Sequence, residues 1–282
     1  MPRFLLFALS ALLAVSDAHA FGPGVHAYIA MRMLDSGPSP AIYGAMAADM
    51  NGILRGDPAA ASTMQRLTHY EFGLLAPSLF ATGWASHNGE WGADRVAHEY
   101  LRKGHDPDAY FTRKIRTLSE REGITQFQAE DLFDAALDLM LAQRIGPELG
   151  IAVSESAALA GKPEEDALAA AFTAPLAERA ALDSADAESR IRWAHRCMKS
   201  GLIVYGRILE RDRGYQRPIV DFLAARHFKW PPAEARAHLD TALELAEDCI
   251  PELDALADAL AQRMRGEAAY TDYLLGPLTL RR

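Results

Sequence analysis

Apolar residues recur along most of this chain at intervals of three and four, while alternating β-branched runs bounded by turn residues are nearly absent. Ala, Leu, Glu and Arg, all good helix formers, are abundant. The pattern predicts an all-α multi-helix bundle, with helices near 24–35, 40–50, 60–72, 76–101, 125–144, 164–182, 185–212, 216–227, 232–246 and 249–265. Pairs such as Gly37-Pro38, Asp57-Pro58 and Pro231-Pro232 punctuate them. No repeat of fixed period is present, which disfavours a solenoid. The Ala-rich stretch 156–190 reads as helix with a break near Pro175.

The first twenty residues read differently. Arg3 gives a short positive start, Phe4 to Val15 form an apolar run, and Ala18-His19-Ala20 supplies small residues where a signal peptidase cuts. The run is shorter than the roughly 20 residues a spanning helix needs. The sequence therefore predicts a signal peptide over 1–20 and an exported chain, secreted or periplasmic, that begins at Phe21. The mature chain is long enough for one large domain or two small ones, and half of the residues are hydrophobic. A shift in composition near 145–165 divides a histidine-rich segment, 21–145, from the Ala/Leu/Glu-rich 146–282. The later segment is either part of the same domain or a C-terminal helical subdomain.

A formal net charge of −9 argues against a stable nucleic-acid partner, although a metal site can reverse the field locally. Cys197 and Cys249 are the only cysteines; in an oxidising compartment they either pair across a long loop or stay as buried thiols. Neither is set among histidines in the way a catalytic thiol requires.

The chemistry concentrates in the first half. His26, His69, His87 and His98 occur in series with carboxylates between them, Asp49 among them. In SHNGEWGADRVAHEY, a continuous helix puts His87, Glu90, Asp94 and His98 on one face. Further on, AEDLFDAALDLM spaces Glu130, Asp134 and Asp138 four apart, a second acidic stripe. Facing helices that carry such stripes build internal metal sites in bundles, and imidazole with carboxylate suits zinc. On their own, three acids at this spacing also suit a solvated face. His105 reads as a surface turn, and His195, His227 and His238 as structural.

These residues resemble the zinc-dependent phospholipase C family, whose fold is shared with fungal-type single-strand nucleases. Mature chains there open with Trp-Gly and carry a histidine at the sixth position; FGPGVHAYIA has that layout with Phe21 in place of Trp. GAMAADMNGI is similar to the family's Gly-x-x-x-Pro-Asp-Ile element and nominates Asp49, and LTHYEF nominates His69. GWASHNGEWGADRVAH is similar to its His…Asp…His helix and nominates His87, Asp94 and His98. The spacing here is His-x6-Asp-x3-His rather than His-x3-Asp-x5-His, so Glu90 competes with Asp94 for the bridging role, and Asp94, one turn before His98, is the preferred bridge. AEDLFD stands in place of a His-x-x-x-Glu or His-x-x-x-Asp pair and nominates Glu130 and Asp134, with Asp138 able to replace either.

The resemblance covers about half of the mature chain and implies up to three zinc ions. His69, His87, Asp49 and Asp94 would bind the first, His98 with Glu130 and Asp134 the second, and the Phe21 amino terminus with His26 the third. Asp94 and Asp49 would carry the catalytic centre. The implied reaction is phosphodiester hydrolysis, a metal-held hydroxide attacking the phosphorus of a phospholipid head group during transient contact with a membrane surface. The alternatives are a single-strand nuclease, for which Trp84, Trp91 and Tyr70 are aromatic candidates near the motifs, and a zinc-binding helical protein without catalysis.

Overall fold

In the computed structural model, which describes residues 21–34, 37–54, 56–95 and 110–266, nearly every helix begins where the sequence supplies a stop for its free amides. Pro23 opens α1 (Pro23–Leu34), and Pro40 opens α2 (Pro40–Ala47) behind the Ser39 cap. Asp57 caps α3 (Pro58–Tyr70) through Ala60 N, and Ser78 caps α4 (Leu79–His87) through Ala81 N. A 3-10 stretch, Ala48–Leu54, continues α2 and carries Asp49.

After α5 (Tyr110–Glu122), Thr125 and Gln128 form a reciprocal cap for α6 (Gln126–Ile145). α7 (Pro147–Leu159), α8 (Lys162–Arg179), α9 (Ser184–Leu209), α10 (Arg213–Phe228), α11 (Pro232–Ala246) and α12 (Ile250–Gly266) complete the bundle. No strand occurs among the described residues, so the fold is all-α. None of their helices is long and apolar enough to cross a membrane. The signal peptide expected over 1–20 lies outside the described residues.

α1 is buried along almost its whole length and packs on α2, α6, α7 and α12. A helix buried along most of its length belongs at the centre of a bundle, and the Asp138 carboxylate of α6 meets its first turn there. The change in composition near 145–165 does not divide the core. α7 packs on α1 and α2, α8 on α3, and α9 on the 3-10 stretch, within one continuous cluster that includes Val25, Tyr43, Phe133, Val153, Phe172 and Leu202.

Three local expectations are corrected. Pro175 lies inside α8 without ending it, because Phe172 and Leu176 on either side are both buried in the core. The helix expected over 76–101 stops at His87. Asn88 leaves helical geometry, and its side-chain oxygen accepts from the amides of Glu90, Trp91 and Gly92, which turns the chain. Cys197 and Cys249 are buried free thiols, with Cys249 Sγ directed at the Leu245 carbonyl, so the pairing across a long loop is not formed.

α2 and α4 cross at backbone contact, which brings His87 over α2. A Cβ added to Gly83 would lie 1.7 Å from the Ala41 carbonyl oxygen, a backbone atom that cannot rotate away. Gly83→Ala is therefore expected to destabilise the fold by about 3 kcal/mol or more, read as a lower urea midpoint with an unchanged slope.

Candidate metal centre

Four separate elements deliver the central residues. His26 comes from the first turn of α1, Asp49 from the 3-10 stretch, His69 from the end of α3 and His87 from the end of α4, with Asp94 beyond the Asn88 turn. All five are buried, none more than 4% exposed. Asp49 lies among the three imidazoles. Its Oδ1 is 3.2 Å from His87 Nε2 and 3.5 Å from His69 Nε2, and its Oδ2 is 3.8 Å from His26 Nε2. His69 Nε2 is also 3.7 Å from Asp94 Oδ1 and 3.2 Å from His87 Nε2.

The far side of two rings sets their tautomer. His87 Nδ1 lies 3.0 Å from the Ala45 carbonyl, and His69 Nδ1 lies 3.0 Å from the Gln65 carbonyl and 2.7 Å from Thr68 Oγ1. A carbonyl oxygen only accepts, so Nδ1 carries a hydrogen in each ring and Nε2 is the nitrogen directed inward, free to offer its lone pair once it gives up any proton. Trp84, fully buried, donates from Nε1 to the Thr68 carbonyl at 2.9 Å and ties α4 to the turn of α3 that bears His69. Inward lone pairs next to carboxylate oxygens repel one another unless a cation lies among them.

Two groups of three have ligand atoms all within 4.8 Å of one another, His26–Asp49–His87 and His69–His87–Asp94, and each can hold a metal ion. His87 belongs to both. Burial works against the imidazolium of His87, and the carboxylates of Asp49 and Asp94 overcome it, so its pKa rises.

The acidic stripe of α6 is not a solvated face, since Glu130, Asp134 and Asp138 are all buried. Burial pushes the Asp134 carboxyl well above its usual range, with Glu130, Asp131, Asp138 and Asp49 adding to the effect. Asp134 is thus within electrostatic reach of Asp49, with Glu130 beside it, both outside the two converging groups. Asp138 is turned away to a different task, accepting from the amides of Gly24 and Val25 and from the Tyr205 hydroxyl.

The other candidates are placed around this centre or away from it. Phe21 is buried with its ring edge-on to Phe111, 5.4 Å between centroids, and 6.1 Å from His26. Glu90 is exposed on the Asn88 turn, not on one helix face with His87 and Asp94. His98 and His105 lie outside the described residues. His195 is buried edge-on against Tyr43, and His238 bonds Glu122. His227 Nε2 stands 3.5 Å from Asp131 Oδ2, a pairing with the acidic helix that spacing alone does not signal.

Fold and site together define an all-α protein with a buried His/Asp centre able to hold metal. Comparison of the chain with protein-family models, with curated proteins and with solved structures finds no match.

Proposed function

We propose that the protein is an exported zinc-dependent phosphodiester hydrolase of phospholipase C type. The observation that carries the reading is the meeting of three imidazole Nε2 atoms and two carboxylates, drawn from distant parts of the chain, in one buried cluster. Nitrogen and oxygen donors about 2.0–2.1 Å from a tetrahedral zinc stand roughly 3.3 Å apart. The separations here, 3.2 to 3.8 Å, need only small adjustment to match.

Bound zinc supplies a Lewis acid for phosphoryl oxygens and makes a coordinated water acidic enough to lose its proton near neutral pH. The chain's own groups do the rest. His69 and His87 offer nitrogen from rings held at Nδ1, His26 adds a third imidazole, Asp49 and Asp94 would offset the charge of a bound ion, and Glu130 and Asp134 add further carboxyl oxygens nearby. The Phe21 amino group, once freed by cleavage after Ala20, would stand one turn from His26.

A phospholipid head group suits the site better than a nucleic acid. Of the aromatic candidates for base stacking, Trp84 and Trp91 are buried in the core, and only Tyr70 is exposed. The net charge of −9 also repels a polyanion.

Elemental analysis of the purified chain, together with hydrolysis of a chromogenic phosphocholine ester and of single-stranded DNA with and without chelator, tests the proposal. The expected result is bound zinc and ester hydrolysis that chelator abolishes and added zinc restores. Cleavage of DNA alone would make the protein a nuclease, zinc without turnover a non-catalytic binder, and absence of metal would end the reading altogether.

A further inference from the structure

The segment FGPGVH places two glycines and a proline within the four residues before His26. The side chain that explains them is Asp138, 114 positions away from Gly24. Its Oδ2 accepts from Gly24 N at 2.9 Å and its Oδ1 from Val25 N at 2.8 Å, so both oxygens grip successive amides in the first turn of α1. Those amides have no partner within their own helix, and a carboxylate there also meets the positive end of the helix dipole. From the opposite side the Tyr205 hydroxyl of α9 donates to Oδ2 at 2.8 Å, which fixes the rotation of the carboxylate.

The fit leaves no room. A Cβ on Gly22 would come within 2.6 Å of Oδ2, and one on Gly24 within 2.7 Å of the carboxylate carbon. A side chain at either position would have to push the Asp138 carboxylate aside and so loosen its hold on the turn. Pro23 has no amide hydrogen and so competes for neither oxygen. His26 is in the same turn, its amide bonded to the Gly22 carbonyl at 3.2 Å, and its ring reaches His87 at 4.2 Å between centroids.

We infer that Asp138 is a positioning residue for the metal centre: with Tyr205 it clamps the first turn of α1 and thereby holds His26 against Asp49 and His87. It acts through the backbone and touches no reacting group. The inference rests on the metal-site reading for its consequence, while the clamp itself stands on its own hydrogen bonds. Carboxylates and carbonyls that hold a metal-binding imidazole in place are worth roughly 10- to 100-fold in affinity. Asp138 does the same work one step further back.

The test uses Asp138→Asn, Tyr205→Phe and Gly24→Ala in the full chain, each checked for a cooperative melt. In the metal-free proteins, amide exchange at Val25 and the imidazole nitrogen shifts of His26 report the clamp directly. In Asp138→Asn the Val25 amide is expected to lose protection and the His26 shifts to move, with those of His69 unchanged. Chelator competition should then show roughly 10- to 100-fold weaker zinc binding. Tyr205→Phe should move the same readouts in the same direction by less, and it decides the matter if Asp138→Asn does not fold. Unmoved Val25 exchange and His26 shifts in the folded variants would overturn the inference whatever the metal content. A wild-type chain that binds no zinc but shows these changes would sink the metal reading and leave the clamp standing.

Discussion

Asp49→Ala is expected to empty the centre of metal and to lower phosphodiester hydrolysis by about a thousand-fold or more, a loss at the top of the range for removing one electrostatic group from an active site. Geometry singles out this carboxylate. Its Oδ1 faces His69 and His87 and its Oδ2 faces His26, so its two oxygens reach all three imidazoles. Asp94 stands nearest His69, at 3.7 Å, with His87 in the same group. Removing Asp49 takes away one of the two carboxylates among the inward-facing nitrogens and leaves the His26–Asp49–His87 group with no carboxylate. Asp94→Ala should also lose metal and rate, but Asp49 should be the more severe of the two when zinc per chain is compared. Wild-type zinc content in Asp49→Ala would remove the basis for the proposed mechanism.

How much of the fold is legible in the sequence depends on whether the cause is local. Helix class is legible because each segment states its own periodicity and cap; α1, α2, α6 and α11 lie within a few residues of their expected limits. The overextended helix through 76–101 fails at one residue. Apolar spacing runs on past His87, but Asn88, followed by Gly89, offers three amides a better acceptor than the next turn does. Consequently His87 and Asp94 reach the centre from opposite limbs of a turn. α5 and α7 are absent from the expected helices, although Pro147, which opens α7 after Gly146, is a helix-start signal in its own right.

The site shows the same division. Residue type and order nominate His26, Asp49, His69, His87 and Asp94, and these do converge. Spacing groups Asp138 with Glu130 and Asp134, since four-residue intervals align on a helix. A twenty-residue helix turns its line of side chains past several neighbours, however, and Asp138 meets the start of α1 and Tyr205. Only the packing of α6 against α1 and α9 assigns it, and nothing in the local sequence encodes that.

Acidification should weaken zinc binding steeply, by tenfold or more per pH unit below about pH 6.5, because metal must displace protons that the centre holds tightly. His87 keeps its proton above the usual range on account of Asp49 and Asp94, and burial with neighbouring carboxylates does the same for Asp134. Each proton expelled adds one unit of slope. The stability of the chelated chain is a poor readout, because Asp138 and His195, neither of them in the converging groups, titrate over the same range with opposite signs. Asp138, raised to about 6 chiefly by burial, contributes stability that is complete below its unfolded pKa and lost as pH rises through 6. Going from pH 7 to pH 5 therefore gains about 1 kcal/mol. His195, lowered to about 4 by burial, has the opposite sign: its contribution is present above its unfolded pKa and lost as pH falls, at a cost of about 2 kcal/mol over the same window. The surface carboxylates of Asp57, Glu71 and Asp166 have lowered pKa values and lose their contribution only below about pH 4. The difference between zinc-loaded and chelated melting temperatures cancels these background groups and isolates the centre. That difference should shrink steadily from pH 7.5 to pH 5.5, with proton release on zinc binding measured by calorimetry in buffers of different ionisation enthalpy. A difference independent of pH, with no proton released, would mean that zinc binds somewhere other than among these imidazoles.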